Sequence, residues 1–76
     1  MDPSRNFLIK WVICGSEIAR FVRAHSLDTV INQAVELAEK HDLAIEIHQR
    51  ARMLGVVKKN LQGKYRFEPH MESWVV

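Results

Sequence analysis

Cysteine and histidine are the side chains of this sequence that could perform covalent or metal chemistry. The chain has one cysteine, Cys14, and four histidines. A reactive thiolate needs nearby cations or a helix N-terminus, and the sequence around Cys14 supplies neither. Glu46 and His48 fall on one face of a predicted strand, but zinc usually takes three or four ligands. With no phosphate loop or nucleophile motif present, we expect no enzyme activity, no metal and no cofactor.

A run of basic side chains suggests a different kind of chemistry, the binding of phosphates. No acidic residue lies among the six cations between Gln49 and Phe67, although the net charge of the chain is only +2. Residues 64–67 alternate cations with aromatics, as single-strand nucleic-acid platforms do. A strand with Tyr65 and Phe67 facing the core would show the same alternation, so both interpretations stay open. The candidate nucleic-acid contacts are Arg50, Arg52, Lys58, Lys59, Lys64 and Arg66.

Length and composition limit the fold that could position these groups. Seventy-six residues, 47% of them hydrophobic and 26% charged, predict a single small globular domain over 1–76. We expect an ordered core over about 6–67 and a C-terminal tail over 68–76. One cysteine excludes an internal disulfide framework. No apolar run approaches the length of a membrane span and no signal peptide is evident, so we expect a cytoplasmic protein without membrane contact.

The first third of the chain predicts a β-hairpin. Residues 7–14 are rich in β-branched and aromatic side chains, and residues 17–23 form the returning strand. Gly15 and Ser16 suit a type II′ turn, which would place Ile13 opposite Ile18. The predicted core face then carries Phe7, Ile9, Trp11, Ile13, Ile18 and Val22. The opposite face carries Leu8, Lys10, Val12, Cys14, Glu17, Ala19, Phe21 and Arg23.

The remaining elements are one helix and two or three further strands. Apolar residues recur at helical spacing from Leu27 to Ala38, with Ser26 or Asp28 as the N-cap and an end near 41–42. Residues 43–48 and 53–57 are predicted strands, and residues 64–67 are an optional short fifth strand. The sequence therefore predicts an α+β, two-layer domain with one helix packed on a small antiparallel or mixed sheet, in the order ββαββ with an optional fifth strand.

One helix covers only one face of such a sheet, which leaves an apolar face that needs another explanation. An exposed patch of this kind usually marks an interaction site. The alternatives are cover by the tail, through residues such as Met71 and Val75, or ordinary scattered surface apolarity. We expect a small non-enzymatic interaction module that forms a homodimer or binds a protein through this face or through an edge strand. The candidate contacts are Leu8, Val12, Phe21 and Trp74; the alternative function is nucleic-acid binding.

Three features resemble a family of small bacterial proteins of unknown function with a strand-strand-helix-strand-strand plan. They are Trp11 with Val12 in the first strand, Ser26 before the helix, and the pair Ile47 and His48 at the end of the third strand. The similarity covers roughly residues 11–60, although residues 49–52 replace the turn usual in that family. The resemblance implies a fold without an activity, and a bacterial or phage accessory protein, such as an inhibitor of a larger machine, would fit it.

Overall fold

A computed structural model describes residues 5–70, which form one five-stranded sheet and one helix. The strands are β1 (Arg5–Ile13), β2 (Ser16–Ala24), β3 (Ile45–Gln49), β4 (Arg52–Lys59) and β5 (Tyr65–Pro69), and the helix is α1 (Leu27–His41). This confirms the α+β class. The order is ββαβββ, because the optional fifth strand is present and extends through Pro69.

All neighbouring strands are antiparallel, in the order β2-β1-β3-β4-β5. The sheet therefore has β2 at one edge and β5 at the other. A bulge between β3 and β4 places Ile47 opposite Gly55 and His48 opposite Met53, so Leu54 is the extra residue. A side chain at Gly55 would overlap the Phe67 ring on β5, which explains glycine at this position.

The first hairpin turns one residue earlier than its glycine predicts. Cys14 and Gly15 are the two central residues, with φ of 52° and 79°, and Ile13 pairs with Ser16. Positive φ at both positions defines a type I′ turn, so the predicted type II′ turn at 15–16 is wrong. The partner of every β1 residue therefore shifts by two. Because side chains alternate with a period of two, the predicted faces of both strands are unchanged.

Helix α1 begins and ends where its cap residues satisfy the backbone. The Thr29 amide donates to the Ser26 hydroxyl at 3.4 Å, which identifies Ser26 rather than Asp28 as the N-cap. Asp42 ends the helix in the left-handed conformation, with φ 54°, and its amide donates to the Ala38 carbonyl.

A narrow stripe of small residues attaches the helix to the sheet. Val30, Ala34 and Ala38 are fully buried, one helical turn apart. They pack against Phe7, Ile9 and Trp11 of β1, Ile45 and Ile47 of β3, Val57 of β4, and Ala24. The core therefore lies between α1 and the predicted face of the sheet, but Ile13 and Ile18, also predicted for the core, are 37% and 38% exposed because they lie beside the hairpin turn.

We expect Cys14→Asn to stabilise the protein. Asparagine occupies left-handed backbone more readily than cysteine does, and Asn-Gly is the preferred type I′ pair, so the gain in unfolding free energy should be about 1 kcal/mol. Urea denaturation measures it. Ser16→Asn is the matched control, because position 16 lies in β2 and should gain nothing. Equal stability of wild type and Cys14→Asn would contradict the assigned turn.

Candidate functional site

The sheet face opposite α1, called the outer face here, carries the residues predicted for protein binding. Within residues 5–70, the single helix packs on the other face, and no further element covers this one. Phe21 is 79% exposed and Val12 is 60% exposed, whereas Leu8 is half-buried. Trp74 and the tail residues Met71, Val75 and Val76 lie outside the described residues, so the predicted role of the tail as cover stays untested.

One row of side chains crosses the outer face from β2 to β4. Phe21 lies opposite Leu8, Leu8 opposite His48, and His48 opposite Met53. We call Phe21, Leu8 and Met53, the apolar members of this row, the Phe21 patch. Phe21 is the most exposed member and stands at the edge strand. The patch therefore continues directly to the outer edge of β2.

Val12 does not belong to this patch. It is four residues from Leu8 along β1, a distance of about 13 Å. Between them lie Lys10 and Ala19, which face each other across β1 and β2. Val12 instead lines a shallow depression of about 250 Å³ with Ala44 and Val56 and with Glu17 and Glu46. The predicted interface residues within 5–70 thus fall into one apolar patch at Phe21 and one valine in a separate depression of mixed polarity.

The outer edge of β2 is a second feature of the same hairpin. β2 is nine residues long and, within the described chain, pairs only with β1. In a two-residue hairpin the pair next to the turn, Ile13 and Ser16, is hydrogen-bonded, and hydrogen-bonded pairs then alternate along the ladder. The peptide groups of the intervening β2 residues point away from β1. These open donors and acceptors belong to Glu17, Ala19, Phe21 and Arg23.

His48 and Cys14, the two side chains considered above for chemistry, lie in different parts of the fold. His48 lies 2.9 Å from the Glu46 carboxylate on the outer face, as their spacing predicts. Within residues 5–70 there is no group of three or more side chains that could hold a metal ion. Cys14 is exposed in the hairpin turn. Over the same range, no helix has the length and apolar character needed to cross a membrane.

The predicted basic segment is divided between two ends of the sheet. Arg52 and Lys59 are the first and last residues of β4, which separates them by about 23 Å. Lys58 forms an ion pair with Glu68 at 3.4 Å, and Lys59 forms one with Asp42 at 3.2 Å. Tyr65 and Phe67 pack against the core, which favours the structural explanation for the alternation in 64–67.

Arginine side chains gather at the end of the sheet where β1 begins. Arg5, Arg50 and Arg52 line one cleft of about 840 Å³, and Phe21 lines the same cleft. Within residues 5–70, no carboxylate lies within ion-pair distance of these three guanidinium groups. Arg5 was not among the predicted contacts, because it lies far from 50–52 in sequence and reaches that end through the pairing of β1 with β3.

A polar cluster ties the end of α1 to β5. The Tyr65 hydroxyl donates to the Asp42 carboxylate, which also binds Lys59. The Tyr65 hydrogen bond, and then the hydrogen bond and charge of Lys59, hold the pKa of Asp42 below its usual value. The same hydrogen bond raises the pKa of Tyr65 to about 12. These shifts have a structural cause, and the cluster neutralises one of the predicted nucleic-acid contacts.

Comparisons with protein-family models, curated proteins and solved structures find no match to this chain. The resemblance to the small bacterial family therefore stays a prediction.

The Asp42–Tyr65 contact should make stability depend on pH at both extremes. Above pH 10 the unfolded state loses the Tyr65 proton while the folded state keeps it until about pH 12, so stability falls as pH rises through that window. Below pH 3.8 the unfolded state gains the Asp42 proton first, so stability falls as pH drops. Denaturation of wild type and Tyr65→Phe measures both effects. An equal difference between the two proteins at pH 8 and near pH 12 would contradict the assignment.

Proposed function

We propose that the chain is a non-enzymatic interaction module that self-associates through the β1–β2 hairpin. The Phe21 patch supplies the apolar contact, and the edge of β2 supplies backbone hydrogen-bonding groups. The observation that carries this proposal is the exposure of Phe21, which is 79% on an edge strand and lies beside Leu8. A phenylalanine held in this position exposes a large apolar area to water, and a partner surface would bury that area.

The position of the patch strengthens the case for a protein partner. Edge strands that avoid pairing are usually short, broken by proline, covered, or protected by an inward-pointing charge. Within the described chain β2 has nine residues, no proline and no strand beyond it, and its one protective device is the inward-facing Arg20. A partner at this edge would satisfy the open peptide groups of β2 and bury the Phe21 ring in the same step. Both contributions come from one continuous surface.

Self-association should depend on Phe21. We expect the molar mass by sedimentation equilibrium to rise with concentration toward that of a dimer in the wild-type protein. Phe21→Asp should return it to the monomer mass, because the charge would be buried on association without a partner. The folded state should change by less than about 1 kcal/mol, since the side chain is exposed.

Leu61→Asp is the matched control for this experiment. Leu61, like Phe21, is a large exposed apolar residue. It lies in the β4–β5 loop, at the opposite edge and opposite end of the sheet from Phe21. Its substitution should leave self-association unchanged. A wild-type protein that stays monomeric up to millimolar concentration, or equal losses in the two variants, would overturn the proposal.

Nucleic-acid binding is a second candidate, and the cleft lined by Arg5, Arg50 and Arg52 favours it. Three guanidinium groups without a carboxylate partner within the described chain can each bind a phosphate oxygen, and Phe21 beside them offers a ring on which a base can stack. The candidate site differs from the predicted one. It gains Arg5 and leaves out Lys58 and Lys59, which have carboxylate partners of their own.

The arginine cleft predicts a position-specific loss of binding. A labelled single-stranded oligonucleotide should bind at about 50 mM salt and weaken steeply by about 200 mM. The double variant Arg50→Glu with Arg52→Glu should abolish the anisotropy change. Lys64→Glu with Arg66→Glu is the control of equal charge and should retain most of it. No binding at low salt excludes this candidate, and equal losses would favour the longer basic segment.

A further inference from the structure

We propose that two copies pair β2 with β2 in one antiparallel register, with Arg20 on the two-fold axis and Glu17 opposite Arg23 of the second copy. This inference rests on the proposed function and adds the occupant's geometry. The strand runs from Ser16 to Ala24, so Arg20 is its middle residue. Only a register centred on Arg20 pairs all nine residues of one strand with all nine of the other.

The open peptide groups of β2 agree with this register. Outward-pointing donors and acceptors belong to Glu17, Ala19, Phe21 and Arg23, as the hairpin ladder requires. A two-fold centred on Arg20 makes hydrogen-bonded partners of Glu17 and Arg23, and of Ala19 and Phe21. Each outward group thereby meets an outward group of the second copy. Arg20 itself becomes a non-hydrogen-bonded pair, with Cα atoms about 4.5 Å apart.

Charge and size are complementary on the outer face in this arrangement. Glu17 and Arg23 are both exposed, and the two-fold brings them together twice. Opposite charges directly across antiparallel strands attract, and like charges repel. Phe21 lies opposite the small side chain of Ala19, which leaves room for the ring to lie over the second strand. Each copy therefore contributes one cation, one anion, one large and one small residue in reciprocal positions.

The helix side of β2 is compatible with the same pairing. Ile18, which is exposed in one copy, would lie opposite Val22 of the second copy, which is half-buried in one copy. The two Arg20 side chains would meet at the axis, where like charges are unfavourable. The Arg20 guanidinium, however, lies over the Trp11 ring, 5.8 Å from its centroid, which draws its charge back toward β1. Glu36 and Lys40 of α1 line the same groove as Arg20, one anion and one further cation.

Cysteine substitution along β2 tests the register. In a Cys14→Ser background, Arg20→Cys should form a disulfide-linked dimer on mild oxidation, because the Cα separation at the axis suits a disulfide. Ala19→Cys and Ile18→Cys, which keep Phe21, should crosslink at the level of Leu61→Cys, which reports random collision. Non-reducing electrophoresis and intact mass measure the yield. A higher yield at Ala19 or Ile18 than at Arg20 means a different register and overturns the inference while leaving self-association intact.

Charge exchange provides a second measurement that needs no covalent bond. Glu17→Arg alone and Arg23→Glu alone should each raise the dimer dissociation constant several-fold, since each places like charges opposite one another twice. The double variant should restore the wild-type constant, because it rebuilds the pair with the signs exchanged. Additive losses in the double variant would overturn the register. A wild-type protein that stays monomeric would overturn the proposed function together with the inference, so the two failures are distinguishable.

Discussion

The width of a single helix limits how much of the sheet this chain can shield. An α-helix with its side chains is about 10 Å across, whereas the outer strands of a five-stranded sheet lie about 19 Å apart. Helix α1 therefore packs its buried stripe on the middle of the sheet, on β1, β3 and β4, and on Ala24 of β2. The turn end of the β1–β2 hairpin extends past the helix, since Ile13 and Ile18 are exposed there although they lie on the helix side. Both the outer face and the edge of β2 remain open as a result.

The side chain of Arg20, on the open edge strand β2, covers the ring of the buried Trp11. Trp11 is 8% exposed and belongs to the core, and the Arg20 guanidinium lies over its ring. A long charged side chain can cover apolar surface with its stem and keep its head hydrated. A charge on the inward side of an edge strand also opposes indiscriminate strand pairing. The Trp11 ring offsets part of this charge, because the guanidinium lies 5.8 Å from its centroid.

Much of the fold follows from the sequence because it depends on local periodicity. The stripe from Leu27 to Ala38 defines α1, and alternation in β1 and β3 defines their faces. The predicted position of the hairpin turn is wrong because cysteine is an unusual residue at positive φ. Gly15 therefore suggests a turn that begins one residue later than the observed one. The error left both faces intact because it displaced every pair by two. Strand order was not predictable, since it depends on contacts between residues distant in sequence.

The candidate site was less predictable than the fold, for the same reason. The six basic residues are close together in sequence, which is why they are predicted as one group. The two ends of an eight-residue strand are far apart in space, however, so β4 divides the group. Phe21 was predicted correctly as an outer-face residue. The continuity of its patch with an open edge required the order β2-β1-β3-β4-β5, and the convergence of Arg5 with Arg50 required the pairing of β1 with β3.

The unequal edges of the sheet bear on the kind of assembly the chain can form. β5 has five residues, ends at Pro69, and its Glu68 is paired with Lys58 on β4, all of which hinder the addition of another strand. β2 is longer, has no proline and carries the exposed ring of Phe21. Pairing β2 with β5 of another copy would leave a free edge at each end and continue indefinitely. Pairing β2 with itself uses the same surface on both copies and ends at a dimer, with only the protected β5 edges left outside.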